Sequence, residues 1–311
     1  MKLVYGGDSN LVGWAGRVKK NYYFTFSPFR LIIRRMSQQS QPIGVFDSGV
    51  GGLSVLRAMR ELMPEESVIY FGDQGHVPYG PRPMQQVRDF SEAITRFLLD
   101  RGAKLIVVAC NTASAAALHY LRDKFPNASF VGMEPAVKPA AEYTRSGTVG
   151  VLATPATFQG ALYASVLERF ANGVQVLQHT CPGLVGQIES GDLDGDETRA
   201  ILEDALRPML DRGIDTVVLG CTHYPFVIPL IEQVVGENVR VIDPAPAVAK
   251  QAKRLLDGSG MKVPVGERAE VHFYTSGDAD MLASLLPKLL GENGAVQTVT
   301  WLDDCHVVGH V

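Results

Sequence analysis

Two stretches, 105-LIVVACNTASAAAL-118 and 216-TVVLGCTHYPF-226, decide how the chain is read. Each is an unbroken run of aliphatic and β-branched residues that stops at a cysteine. Small polar groups follow at once, Asn111-Thr112 in the first and Thr222-His223 in the second. A continuous apolar run marks a strand buried on both faces, which is the condition of a strand in a parallel sheet. Both thiols therefore stand at the carboxyl tip of a buried strand, where open parallel sheets bind their ligands.

Working outward, similar runs recur at 43–46 (IGVF), 67–71 (SVIYF), 130–133 (FVGM), 148–152 (TVGVL), 173–177 (GVQVL) and 239–242 (VRVI). Helical patterns separate them, such as 84-MQQVRDFSEAITRFLLDRG-102 and 196-DETRAILEDALRPMLDRG-213, both closing on Asp-Arg-Gly. A cation in the last turn followed by glycine is a helix stop. Strands alternating with helices predict an α/β fold with mainly parallel sheets flanked by helices.

The chain also repeats itself. Cys110 and Cys221 are 111 residues apart, as are 135-PAV-137 and 246-PAV-248, and 43-IGVFDS-48 recurs loosely as 149-VGVLAT-154. A duplicated unit predicts two similar lobes related by a pseudo-twofold axis, with Cys110 and Cys221 on opposite walls of the cleft between them. The expected boundaries are residues 42–136 plus 245–300 for the first lobe and 137–244 for the second. Residues 1–41 read as an N-terminal extension or an over-called start, and 301–311 as a C-terminal tail.

Composition narrows the function classes. The 311 residues are 46% hydrophobic and 20% charged, the balance of a soluble globular protein. No apolar run approaches the length of a membrane span. The first 41 residues carry seven Lys/Arg against one acid, leaving 22 basic and 32 acidic residues in the remainder. No basic block interrupts the globular part, so nucleic acid is not an expected partner. Four cysteines at 110, 181, 221 and 305 do not make a secreted disulfide framework.

Several chemistries remain open for the paired thiols. Cysteine is commonly a core filler, but packing does not require polar groups at the free N–H groups of a helix start. A redox pair lacks Cys-x-x-Cys spacing, and a cysteine hydrolase leaves the second thiol unused. Zinc held by Cys110, Cys221 and His223 lacks metal-type spacing, whereas 304-DCHVVGH-310 resembles it on a terminus. Two thiols facing one sp³ carbon suit stereoinversion, one accepting a proton and the other donating. His223 beside Cys221 and Asp47 beside Cys110 are the candidate relays.

The motifs 47-DSGVGG-52, 77-VPYG-80, 110-CNTAS-114, 181-CPGLVGQIESG-191, 220-GCTHYP-225 and 273-FYTSGD-278 together resemble the glutamate racemase family of the aspartate/glutamate racemase superfamily, over residues 42–300. That resemblance implies cofactor-independent racemisation, with Cys110 the base for D-glutamate and Cys221 the base for L-glutamate. Asp47 and His223 would assist proton transfer, and Glu189 would contact the catalytic histidine. Asp47, Ser48, Tyr79-Gly80, Asn111-Thr112 and Thr222-His223 would bind substrate. Thr154 and Thr157 would hold its side-chain carboxylate, although Ala153 and Gly160 stand where the family pattern has Gly and Ser. Cys181 reads as packing and Cys305 as solvated. The family further implies no metal or other cofactor, a cytoplasmic homodimer, D-glutamate for peptidoglycan and a cell-wall precursor as activator. The rival readings are an aspartate racemase, a related one-thiol decarboxylase, or a non-catalytic two-lobe amino-acid-binding protein.

Overall fold

Strands β1 (Ile43–Asp47), β2 (Val68–Gly72), β3 (Leu105–Val108) and β4 (Phe130–Gly132) run parallel in the order β2-β1-β3-β4. Strands β5 (Thr148–Ala153), β6 (Gln175–His179), β7 (Thr216–Gly220) and β8 (Arg240–Ile242) form a second parallel sheet in the order β6-β5-β7-β8. Numbered from its own start, each set has the same order, which is what duplication of one unit produces. The computed structural model describes residues 39–264, 266, 269–303 and 306–309. The expected extension therefore lies outside the described residues except for 39–41, and so does Cys305.

The pattern of burial explains the runs seen in the sequence. Every residue of β1, β3, β5 and β7 is buried, because helices cover both faces of these inner strands. The outer strands β6 and β8 are partly exposed and carry polar residues. After β8 the chain returns to the first sheet. The helix Ala245–Ser259 packs on the helix Leu53–Leu62, and β9 (Val271–Thr275) pairs with β2.

Beyond β9 the structure departs from the expected tail. Strand β10 (Val296–Asp303) pairs parallel to β9, and β11 (His306–Gly309) pairs antiparallel to β10, with Trp301 opposite Val307. The stretch 296-VQTVTWL-302 mixes polar with apolar residues, so it lacks the continuous run by which the inner strands were found. Its strand character depends on a partner that the sequence does not reveal.

One hydrophobic cluster joins the two sheets, running from Val45, Leu56 and Tyr70 to Leu206, Leu219 and Leu230. At the amino ends of the first sheet, Lys104 Nζ lies 2.6 Å from Glu66 Oε2, both side chains about 1% exposed. Lys104 Nζ also donates to the Gln39 carbonyl, and Glu66 Oε1 accepts from the Val263 N–H. This buried pair therefore ties residue 39 and the segment entering β9 to the sheet, at the end remote from the thiols. Among the described residues no helix is long and apolar enough to cross a membrane.

Candidate active site

The turn after β1 is organised by the side chain that ends the strand. Asp47 Oδ2 accepts from Gly49 N at 3.1 Å and Gly52 N at 3.0 Å, while Oδ1 accepts from the Thr222 hydroxyl of the other lobe at 3.3 Å. Burial raises the Asp47 carboxyl above its ordinary range; the charge of His223 works against this and that of Glu189 with it.

At the tip of β3, Cys110 is the N-cap of the helix Asn111–Lys124, its sulfur accepting from Ala113 N at 3.5 Å. The sulfur lies 3.9 Å from the Ser48 hydroxyl. Burial, then the neighbouring Asp47 carboxylate, push the Cys110 thiol well above its usual range, and the Ala113 N–H opposes them. In the closed site Cys110 is thus held as a protonated thiol.

Cys221 follows β7 in the corresponding place and leads into the 3-10 turn Tyr224–Val227. Its sulfur is 3.7 Å from His223 Nδ1, and His223 Nε2 lies 2.6 Å from Glu189 Oε1. Burial alone would lower the His223 pKa, but the hydrogen bonds and charges of Cys221 and Glu189 take it well above the usual range. Burial likewise works against the Glu189 carboxylate. The His223 contacts, the Val50 N–H at 2.8 Å and the Gln74 amide at 3.1 Å nevertheless hold it below its ordinary value. The pair therefore stands as imidazolium and carboxylate.

Glycine is required where the first lobe presses on this pair. A Cβ at Gly49 would lie 1.9 Å from Glu189 Oε1, and one at Gly51 would lie 2.5 Å from His223 Nδ1. The 47-DSGVGG-52 stretch is thus a turn whose backbone lies against the imidazolium–carboxylate pair.

Both thiols open onto one narrow cavity, lined also by Ser48, Tyr79, Asn111, Thr154 and His223. The free room inside it is about 20 Å³, enough for about one water molecule, so the lobes stand closed on the site and must part before a small metabolite enters. The Asn111 amide is buried with neither its nitrogen nor its oxygen hydrogen-bonded within the protein. A buried amide left in this way calls for a polar ligand. Thr112 and Thr154 bring their hydroxyl oxygens to 2.8 Å across the lobes, and Thr154 and Thr157 to 2.9 Å.

The residues singled out from sequence thus converge, in two layers. Ser48, Tyr79, Gly80, Cys110, Asn111, Thr112, Thr154, Cys221, Thr222 and His223 line the cavity. Asp47, Glu189 and Thr157 stand behind them, in contact with Cys110, His223 and Thr154 respectively. The Tyr79 hydroxyl points to Asp73 Oδ2 at 2.5 Å. Cys181 is buried in the core in a left-handed backbone conformation, φ 45°, and burial pushes its thiol up to about 12.

Sequence reading passed over Pro78 and Val185 in the lining, and Asp73 and Gln74 behind it. Asp73 is fully buried and accepts hydrogen bonds from Tyr79, Ser276 and Trp301. Its available signal was position, because it follows β2 directly as Asp47 closes β1. Among the described residues, no three His, Cys, Asp or Glu side chains are grouped to hold a metal ion.

Comparison with known proteins shows the family and the fold. Residues 43–252 match the family described as Asp/Glu/Hydantoin racemase. The chain is 50% identical over 261 residues to a glutamate racemase of Pseudomonas paraeruginosa, covering 84% of this chain and 98% of the relative. Its fold is similar to that of a glutamate racemase isoform from Bacillus anthracis, with a TM-score of 0.76 and 32% identity over 86% of this chain and 99% of that one. The Escherichia coli glutamate racemase, solved with L-glutamate and the activator UDP-MurNAc-ala, gives a TM-score of 0.73 and 34% identity. That match covers 83% of this chain and 97% of the other.

Proposed function

The chain belongs to the Asp/Glu/Hydantoin racemase family, and from that premise we propose that it interconverts L- and D-glutamate by a two-thiol mechanism. The observation carrying the reading is that Cys110 and Cys221, each at the tip of the third strand of its sheet, line one closed cavity.

Glutamate enters with two carboxylates and an ammonium group. The unpartnered Asn111 amide and the Ser48 and Thr222 hydroxyls suit the groups around the α-carbon. The Thr112–Thr154–Thr157 hydroxyl chain suits the side-chain carboxylate. Closure of the lobes removes water and strengthens each of these contacts.

Starting from the L-enantiomer, the Cys221 thiolate takes the α-proton: the C–H bond breaks and an S–H bond forms. The carbanionic carbon then takes the proton of the Cys110 thiol on its opposite face, leaving a thiolate there. The reverse reaction exchanges the two roles. The α-hydrogen is very weakly acidic, so preorganised donors around the developing carboxylate charge must supply most of the barrier reduction. The imidazolium of His223 faces Cys221 at 3.7 Å, and Asp47 faces Cys110 as the relay on that side.

The role that follows is supply of D-glutamate for peptidoglycan in the cytoplasm of a bacterium. The Escherichia coli relative was solved with the activator UDP-MurNAc-ala, and activation by a cell-wall precursor belongs to this reading. Circular dichroism in deuterated buffer tests it with the wild type, Cys110→Ser and Cys221→Ser. Each variant should lose racemisation by roughly a thousandfold, within the span assigned to a positioned proton-transfer group. Near-normal racemisation by Cys221→Ser would sink the two-thiol mechanism, and faster turnover of aspartate than glutamate would overturn the substrate.

A further inference from the structure

The carboxylate that holds His223 is itself held from the other lobe. Gln74 lies two residues past the end of β2, and its Nε2 donates to Glu189 Oε2 at 3.1 Å. The other end of the amide is fixed as well. Thr275, the fully buried last residue of β9, donates its hydroxyl to Gln74 Oε1 at 3.0 Å. The Thr275 oxygen also accepts from Gly277 N at 3.0 Å. The ionised Glu189 only accepts, so the Gln74 NH₂ group faces it, since a flipped amide would set oxygen against carboxylate.

We propose that Gln74 is the positioning residue of the Glu189–His223 pair: anchored by Thr275, it fixes the Glu189 carboxylate so that His223 is presented to Cys221. The proposal deepens the reading of Cys221 as a proton-transfer thiol and rests on it for its catalytic meaning. Glu189 Oε1 is occupied by Val50 N and His223, while Oε2 takes the Gln74 hydrogen bond. Without that donor, a buried carboxylate oxygen loses a charge-assisted hydrogen bond, the kind worth most in a dry site. The carboxylate is then free to turn away from the ring, and its hold on the imidazolium weakens.

The titratable groups facing His223 are Cys221 from the end of β7, Glu189 from the helix Leu184–Glu189 and Asp47 from β1. Tyr70 of β2 faces Glu189 as a protonated phenol, its pKa raised well above the usual value by burial and then by Asp47 and Glu189. Gln74 does not line the cavity, so it acts through Glu189 rather than on the substrate.

The test uses the full chain, Gln74→Leu and Thr275→Val, with NMR titration of His223 in ring-labelled protein and pH profiles of kcat and KM for glutamate. In Gln74→Leu the His223 midpoint should fall by about one pH unit, the size expected for loss of one hydrogen bond to a charged group. The alkaline limb of kcat should move down with it, lowering kcat about tenfold on that limb and leaving KM unchanged. Thr275→Val is isosteric and frees the amide to turn, so it should shift the midpoint the same way by less. If His223 titrates as in the wild type in whichever variants fold, the positioning role is overturned. If the midpoint moves but the wild type racemises neither glutamate nor aspartate, the Gln74 assignment stands and the functional reading falls.

Discussion

His223 Nε2 lies 2.6 Å from Glu189 Oε1, with the two side chains only 2% and 10% exposed. Such a pair links stability to pH at both ends. The Glu189 pKa is depressed, so its stabilisation is present above the unfolded value of 4.5 and lost as pH falls through the lower folded value. The His223 pKa is raised, so its stabilisation is complete below 6.5 and lost as pH rises through the higher folded value. Glu189→Gln should therefore cost most between these two unfolded values, about 3 kcal/mol for a broken buried pair. Scanning calorimetry of both proteins across pH checks this, and a penalty independent of pH would count against it.

The glycine turn gives a second prediction. Gly51→Ala places a methyl group 2.5 Å from His223 Nδ1 and 2.6 Å from the Thr222 hydroxyl. The histidine must move, and a shift approaching 1 Å in a proton-transfer group costs about a hundredfold in kcat. Melting should show a loss of about 1–3 kcal/mol, the ordinary cost of overpacking.

Thr154 joins two functions in one oxygen. It caps the short helix Pro155–Gln159 through Thr157 N and lies between the hydroxyls of Thr112 and Thr157. Thr154→Val keeps the shape and removes both, so stability should fall by about 1 kcal/mol for the lost cap. The KM for glutamate should rise about tenfold, the factor for roughly one hydrogen bond to a charged group, with kcat little changed. A fall in kcat at constant KM would contradict a role in carboxylate binding.

Lys104 should separate stability from activity. Its partner Glu66 is about 1% exposed and would lose its counter-charge, so Lys104→Ala should destabilise the protein by about 3–5 kcal/mol. The pair lies at the amino ends of the strands and the site at their carboxyl ends. Folded Lys104→Ala protein should therefore turn over glutamate at the wild-type rate at 25 °C, and a urea melt read beside the kinetic assay decides it.

The inner strands and the two thiols were legible because burial on both faces leaves a contiguous apolar word, and a cysteine closing such a word has a fixed address at the strand tip. The chain's repetition placed those tips opposite one another. Glu189 was different: it lies in a helix end of ordinary composition, and only resemblance to a family singled it out. Gln74 and Asp73 read as a loop after a strand, since their meaning depends on Thr275, Trp301 and Glu189, each more than a hundred residues away. The β10–β11 pair was hidden for a related reason. These strands lie at the margin of the sheet, where β10 mixes polar with apolar residues and only pairing with β9 and β11 reveals it.

The two sulfurs sit in unlike surroundings, one capping a 14-residue helix and the other leading into a 4-residue turn beside an imidazole. Mirror-image molecules have the same free energy in water, so no such inequality can enrich one hand over the other at equilibrium. It acts only on the route between them. The ratio of turnover number to Michaelis constant must be equal in the two directions, so both constants rise or fall together from one direction to the other. The unevenness of the walls thus governs which enantiomer dwells longer on the protein, while a half-and-half mixture remains the destination.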